Sequence, residues 1–179
     1  ARSKDRRWVT LRDAPAGERP VTLRWRKRVW QCVESACVTK TWTEQRSGSK
    51  AQLFNVGFSD KNLVFAVGTG GTLLRSANGG LTWDRQPVGV GKDLNDIYFH
   101  DRDHGVITGD GGTLLTTVDR GATWSKANLA SNVRLLGISL ANKKMGWIAG
   151  YGGNILTTTD GGTTWQPEVS GVTANLFAV

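Results

Sequence analysis

Three short polar side chains recur at one spacing: Asn78, Asp119 and Asp160, with 119 − 78 = 41 and 160 − 119 = 41. Each sits in a run of the form Ser/Thr-x-Asp/Asn-x-Gly-x-Thr-Trp. The copies are Ser76, Asn78, Gly80, Thr82, Trp83, then Thr117, Asp119, Gly121, Thr123, Trp124, then Thr158, Asp160, Gly162, Thr164, Trp165. In such a turn a short Asp or Asn side chain accepts hydrogen bonds from backbone N–H groups a little further on, while Gly takes positive φ without a Cβ clash. The Trp then carries its large apolar ring to the packing layer beneath the turn. Carboxylates could instead serve as the acid and base of glycoside hydrolysis, but that chemistry needs two of them converging within about 5 to 10 Å. Equivalent turns on separate repeats point apart, so these residues read as structural.

Other candidate groups are fewer. Cys32 and Cys37 form a C-x4-C pair that is open to three states: two free thiols, a local disulfide across residues 33–36, or half of a zinc site. Free thiols or a disulfide are favoured, because structural zinc takes four ligands. His100 and His104, four residues apart, could hold a metal ion, yet the run His100-Asp101-Arg102-Asp103-His104 reads more simply as a solvated hairpin turn. The stretch Arg24-Trp25-Arg26-Lys27-Arg28-Val29-Trp30 interleaves basic and aromatic residues. That pattern suits phosphate contacts with base stacking, and equally suits an edge strand whose cations block aggregation. A sialidase-type enzyme would need an arginine cluster and a tyrosine nucleophile; only Tyr98 and Tyr151 are available, and the arginines of the repeats are scattered.

The elements that must position these groups follow from the repeat. The run GGTLLRSANGGLTW ending at Trp83 returns as GGTLLTTVDRGATW ending at Trp124 and as GGNILTTTDGGTTW ending at Trp165. A Gly- and Trp-rich period of about 40 to 45 residues is that of a four-stranded propeller blade. In the middle copy, apolar runs at 94–99 and 105–108 flank the histidine turn, Gly111-Gly112 turns the chain into 113–117, and Thr123-Trp124-Ser125 opens a fourth run. The fold class is therefore all-β and propeller-type, with three complete blades near 51–86, 92–127 and 133–168. Position 83 − 41 is Trp42, and residues 175–179 lie 41 beyond 134–138. A composite fourth blade is thus open to the chain, with 175–179 innermost, the strand of Trp42 outermost and a hairpin at 20–33 between them. Propellers commonly have four or more blades, so closure falls to that blade or to strand exchange in a homodimer.

The Ser/Thr-x-Asp-x-Gly-x-Thr-Trp turn resembles the Asp-box, also called the bacterial neuraminidase repeat. Residues from about 41 onward, with their GxGGxLxxTxDGGxTW unit, resemble the photosystem II assembly and stability factor family. That resemblance implies a non-enzymatic propeller that binds partner proteins, without a cofactor. Sialidase-like hydrolases share the Asp-box, so a glycoside hydrolase fragment is an alternative. The run RDAPAGERPVTLRWRKRVWQCVESACVTKTWTEQ at residues 12–45 resembles the N-terminal zinc-finger region of a bacterial insertion-sequence transposase family. Cys32 and Cys37 match its second cysteine pair; the first pair would lie upstream of Ala1. This implies two segments, 1–45 and 46–179, and a second alternative function as a nucleic-acid-binding module.

Charge separates the same two segments. The chain carries 23 Lys+Arg and 15 Asp+Glu; residues 1–50 hold 13 and 5 of these, a balance of +8, which leaves 10 and 10 for residues 51–179. Weak, sequence-independent polyanion binding through Arg24, Arg26, Lys27 and Arg28 is the expectation. No apolar run reaches the length of a membrane span, and the first residues lack a signal-type apolar stretch. No membrane insertion, no cofactor and no tightly bound metal are expected, and no compartment is indicated.

Overall fold

The computed structural model describes residues 47–127, 129 and 132–178, together with the backbone of three short strands in the N-terminal part. The chain forms two compact units, Ala1–Arg46 and Ser47–Val179. In the first, strands β1 (Arg2–Ser3), β2 (Arg28–Gln31) and β3 (Thr41–Glu44) form an antiparallel sheet in the order β1-β2-β3. Trp30 lies opposite Trp42 in the β2–β3 ladder. Arg24, Arg26, Lys27, Cys32 and Cys37 lie outside the described residues, and Arg28 opens β2.

The second unit holds three four-stranded antiparallel sheets of one design. The first comprises β4 (Leu53–Phe58), β5 (Val64–Gly68), β6 (Thr72–Ser76) and β7 (Asp84–Arg85). The second comprises β8 (Leu94–Phe99), β9 (Gly105–Gly109), β10 (Leu114–Thr117) and β11 (Ser125–Lys126). The third comprises β12 (Leu135–Leu140), β13 (Gly146–Gly150), β14 (Ile155–Thr158) and β15 (Gln166–Glu168). Strand order follows chain order in each, as hairpin-connected blades require. Every first strand carries a register shift at the same repeat position, between Leu53 and Asn55, Leu94 and Asp96, and Leu135 and Gly137. A bulge there bends the innermost strand and adds twist.

Every residue of the second strands VFAVG and GVITG is buried, which explains why they read as continuous apolar runs and not as alternating ones. Both their faces are covered. One core cluster joins Phe65 and Val67 of the first blade to Leu94, Ile97 and Ile107 of the second. Another joins Val106 and Leu114 of the second blade to Leu135, Ile138 and Leu140 of the third. The core therefore sits between blades. Phe99 shows the geometry: it stacks on Phe65 of the preceding blade at 5.1 Å between centroids and meets Trp124 of its own blade edge-on at 5.9 Å.

The C-terminal segment departs from the sequence expectation. Residues 175–178 do not form a strand, although they run where the next innermost strand would lie. Gly137 approaches Phe177 as Gly57 approaches Ile97, both 40 residues further on. The segment is tied by Leu176 N–H to Gly150 O at 3.1 Å and by the Gly152 N–H to Asn175 Oδ1 at 3.0 Å. Two isolated bonds hold it in place, but a strand is defined by a ladder of them.

Candidate functional site

The Asp-box turns are closed on themselves. In the second blade the Gly121 N–H donates to Thr117 Oγ1 at 2.9 Å, Thr117 Oγ1 donates to Asp119 Oδ1 at 2.7 Å, and the Thr123 N–H donates to the same oxygen at 2.9 Å. Thr158, Asp160, Gly162 and Thr164 repeat this pattern in the third blade. In the first, Asn78 Oδ1 accepts from Ser76 and from the Thr82 N–H, while its Nδ2 donates to Thr82 Oγ1. The hydroxyl and N–H of Thr123 hold the pKa of the Asp119 carboxyl at about 2, and those of Thr164 do the same for Asp160. These carboxylates stay ionised and fully committed to their turns, so none is poised as a general acid.

The Trp residues after the second and third turns also pack across a blade boundary. Trp165 is 8% exposed and joins Val106 of the preceding blade, whereas Trp124 and Trp83 are half-buried. Gly121 is pressed equally close: a Cβ built there would lie 2.4 Å from Phe65 Cζ.

A second repeated turn recurs in every blade, and in the first two it faces the Asp-box of the blade that follows. Asp60 Oδ1 accepts the N–H groups of Asn62 and Leu63, Asp101 Oδ1 those of Asp103 and His104, and Asn142 Oδ1 those of Lys144 and Met145. Two repeat-equivalent grooves result. The first, between blades one and two, is crossed by ion pairs: Arg120 and Arg102 both reach Asp60, the latter at 3.2 Å. The N–H groups of Asn62 and Leu63, helped by both guanidinium groups, hold the pKa of the Asp60 carboxyl at about 2.

The second groove, between blades two and three, has a different filling. Moving 41 residues along turns Ser59 into His100, Leu63 into His104, Arg102 into Lys143 and Arg120 into Gly161. A cavity of about 600 Å³, against about 350 Å³ in the first groove, is lined here by His100, Asp101, His104, Lys143 and Asp160 among others. The two imidazoles stack at 5.3 Å, and His104 Nδ1 lies 2.9 Å from Asp101 Oδ1. The run forms the expected hairpin turn, with the Arg102 and His104 side chains 65% and 45% exposed, but within it the His100 side chain is only 8% exposed. Burial pushes its imidazole below the usual histidine range, with His104 and Lys143 acting in the same direction against Asp101. Burial favours the neutral Asp101 carboxyl, yet the His104 ring and the N–H groups of His104 and Asp103 outweigh it and hold the group far below the usual carboxylate range.

The opposite blade ends carry another polar centre. Asn55 Nδ2 donates to Asp96 Oδ1, which also accepts the Ile97 N–H at 2.8 Å, while Asp96 Oδ2 accepts the Ile138 N–H at 2.8 Å. One carboxylate thus ties the three innermost strands β4, β8 and β12. Burial pushes its pKa up, against these three donors. On the same end, Val133, Arg134, Tyr151 and Gly152 line a cleft of about 300 Å³. Tyr151 is 50% exposed, and Arg134 Nε donates to Asp110 Oδ1 at 2.6 Å. Tyr98 is committed elsewhere, with its hydroxyl on Leu140 O at 3.2 Å. The two tyrosines are not brought together, since Tyr151 opens the turn after β13 at the other blade end.

Residues 84–170 match the family described as photosynthesis system II assembly factor YCF48. The repeats resemble those of photosystem II assembly factors. Residues 1–37 match the zinc-finger of transposase IS204/IS1001/IS1096/IS1165, so the two segments resemble different families. A solved structure of YCF48 bound to D1 peptide superposes with a TM-score of 0.65 at 24% identity, covering 73% of this chain and 43% of that one. YCF48 from Cyanidioschyzon merolae gives 0.62 at 22%, covering 71% and 42%. An ancestral GH74 enzyme gives 0.59 at 16%, covering 68% and 19%. Identities this low establish the shared β-propeller fold. The chain spans less than half the length of the YCF48 structures it resembles. No curated protein matches the sequence.

Proposed function

We propose that this chain is a non-enzymatic propeller scaffold that binds an extended segment of a partner protein, in the manner of an assembly factor. The observation that carries this reading is the likeness to the YCF48 propeller that holds D1 peptide. The carboxylate geometry supports it: Asp119 and Asp160 are consumed by their own turns, and Asp96 by three strands. A partner segment has a place to sit beside Tyr151 and Arg134, where an exposed aromatic ring and a guanidinium border an apolar-walled cleft. Tyr and Arg are the residue types that dominate binding energy at protein interfaces.

Titration of the purified chain into fluorescently labelled D1 peptide tests this. Saturable binding, weakened about tenfold or more by Tyr151→Ala, is expected; tenfold corresponds to about 1.4 kcal/mol. No saturation, or equal binding by Y151A, sinks the reading. Turnover of any glycan by the same preparation would favour the hydrolase alternative instead.

A second reading has its own support in the first unit, where a zinc-finger match coincides with the +8 charge of residues 1–50. On that reading Arg24, Arg26, Lys27 and Arg28 bind polyanions without sequence preference.

A further inference from the structure

We propose that the groove between the second and third blades is a binding site for a borderline divalent transition-metal cation, held by His100, Asp101 and His104. One ligand atom from each of the three residues lies within 4.8 Å of the others. Two imidazoles with one carboxylate is a donor set that suits zinc and its neighbours in the first transition row. Around an ion with bonds of about 2.0 to 2.1 Å, neighbouring tetrahedral donors stand about 3.3 Å apart. His104 Nδ1 and Asp101 Oδ1 are already 2.9 Å apart, and His100 Nε2 lies 3.8 Å from Asp101 Oδ2. Small side-chain rotations therefore suffice to gather all three.

Proximity alone would be an ordinary turn contact. Two further observations separate this cluster from one. The His100 side chain is more than nine-tenths buried, and its Nε2 lies 3.8 Å from Asp101 Oδ2, beyond hydrogen-bond distance but within reach of a shared ion. The internal repeat supplies the other. The equivalent groove holds Ser59 and Leu63 where this one holds His100 and His104, and Arg120 reaches Asp60 across it where this one has Gly161. The groove with two imidazoles is the one without that guanidinium. Lys143 on the wall opposes a second positive charge, and the carboxylates of Asp101 and Asp160 in the same groove offset it.

The test is calorimetric titration of zinc chloride into the untagged full chain carrying Cys32→Ser and Cys37→Ser, which removes the thiols as competing ligands. One equivalent is expected, with a zinc-dependent rise in melting temperature. His104→Leu and His100→Ser, which install the residues of the first groove, should each weaken zinc binding about tenfold or more, since even removing a supporting outer group costs that much. Their metal-free melting should change little, because the first groove folds with those residues. If the C32S/C37S chain takes up no zinc, or H104L binds as before, the proposal is overturned. Should a variant fold poorly, cobalt(II) added to the C32S/C37S chain decides the matter. Selective broadening of the His100 and His104 ring resonances supports the site, and unaffected resonances overturn it.

Discussion

At the scale of single residues, the same side chain has different consequences in successive repeats because its neighbour changes. Trp165 is buried, meets Val106 and donates from its Nε1 to Gly162 O at 3.0 Å, while Trp124 is half-buried against Phe65 and Phe99. Trp83 is half-buried, and Phe58, the equivalent of Phe99, is 62% exposed. Trp165→Ala should therefore destabilise the fold by about 3 to 5 kcal/mol, the usual range for emptying a large aromatic site. Trp83→Ala should cost clearly less. Urea unfolding of both variants checks this, and equal losses would mean that the rings are not placed by the blade boundary.

At the scale of elements, the Asp-box turn acts as a wedge between blades as well as a turn. Gly121 combines φ of +72° with contact against Phe65, whereas at Gly70, with φ of +62°, an added Cβ would meet nothing within 4 Å. Alanine at Gly70 should add only the left-handed backbone penalty, roughly 1 to 2 kcal/mol. At Gly121 the same substitution adds overpacking of roughly 1 to 3 kcal/mol. Denaturant midpoints for the two variants should differ accordingly; identical midpoints would show that the turn does not bear on the neighbouring blade. The C-terminal segment belongs to this scale as well, since residues 175–178 dock on the third blade through Leu176 and Asn175 without forming a ladder.

At the scale of the whole molecule, charge and architecture are distributed unequally. The propeller part is close to neutral, and the first 50 residues hold the full excess of +8. No helix among the described residues is long and apolar enough to cross a membrane. Affinity for a labelled DNA duplex should be weak at physiological salt and rise steeply as salt is lowered, because neutralised phosphates release counterions. Replacing Arg24, Arg26, Lys27 and Arg28 together by Ser should flatten that slope. Binding that is insensitive to salt, or unchanged in the quadruple variant, would assign the interaction to another surface. Duplex titration separates this expectation from the peptide binding proposed at Tyr151.

The all-β class, the three blades and the internal bonding of the Asp-box were legible in the sequence. A blade's strands and turns are set by local chemistry, namely Gly at positive φ, short side chains that cap N–H groups, and β-branched runs, and the period of 41 copies that chemistry faithfully. The second repeated turn at Asp60, Asp101 and Asn142 was equally available as a short capping side chain at the same period. What lies between blades was not legible. His100 stands close to the exposed hairpin tip at Arg102, yet its side chain is buried; Arg120 crosses to Asp60, 60 residues away, while Gly161 has no side chain to do so. The burial of Trp165 against Val106, and the docking of 175–178 without a ladder, depend likewise on which surface another blade presents. Sequence spacing fixes a repeat's own turn bonds because both partners lie within one turn of chain, whereas side-chain bonds between repeats join residues from 23 to 60 apart, where only tertiary packing brings the partners together.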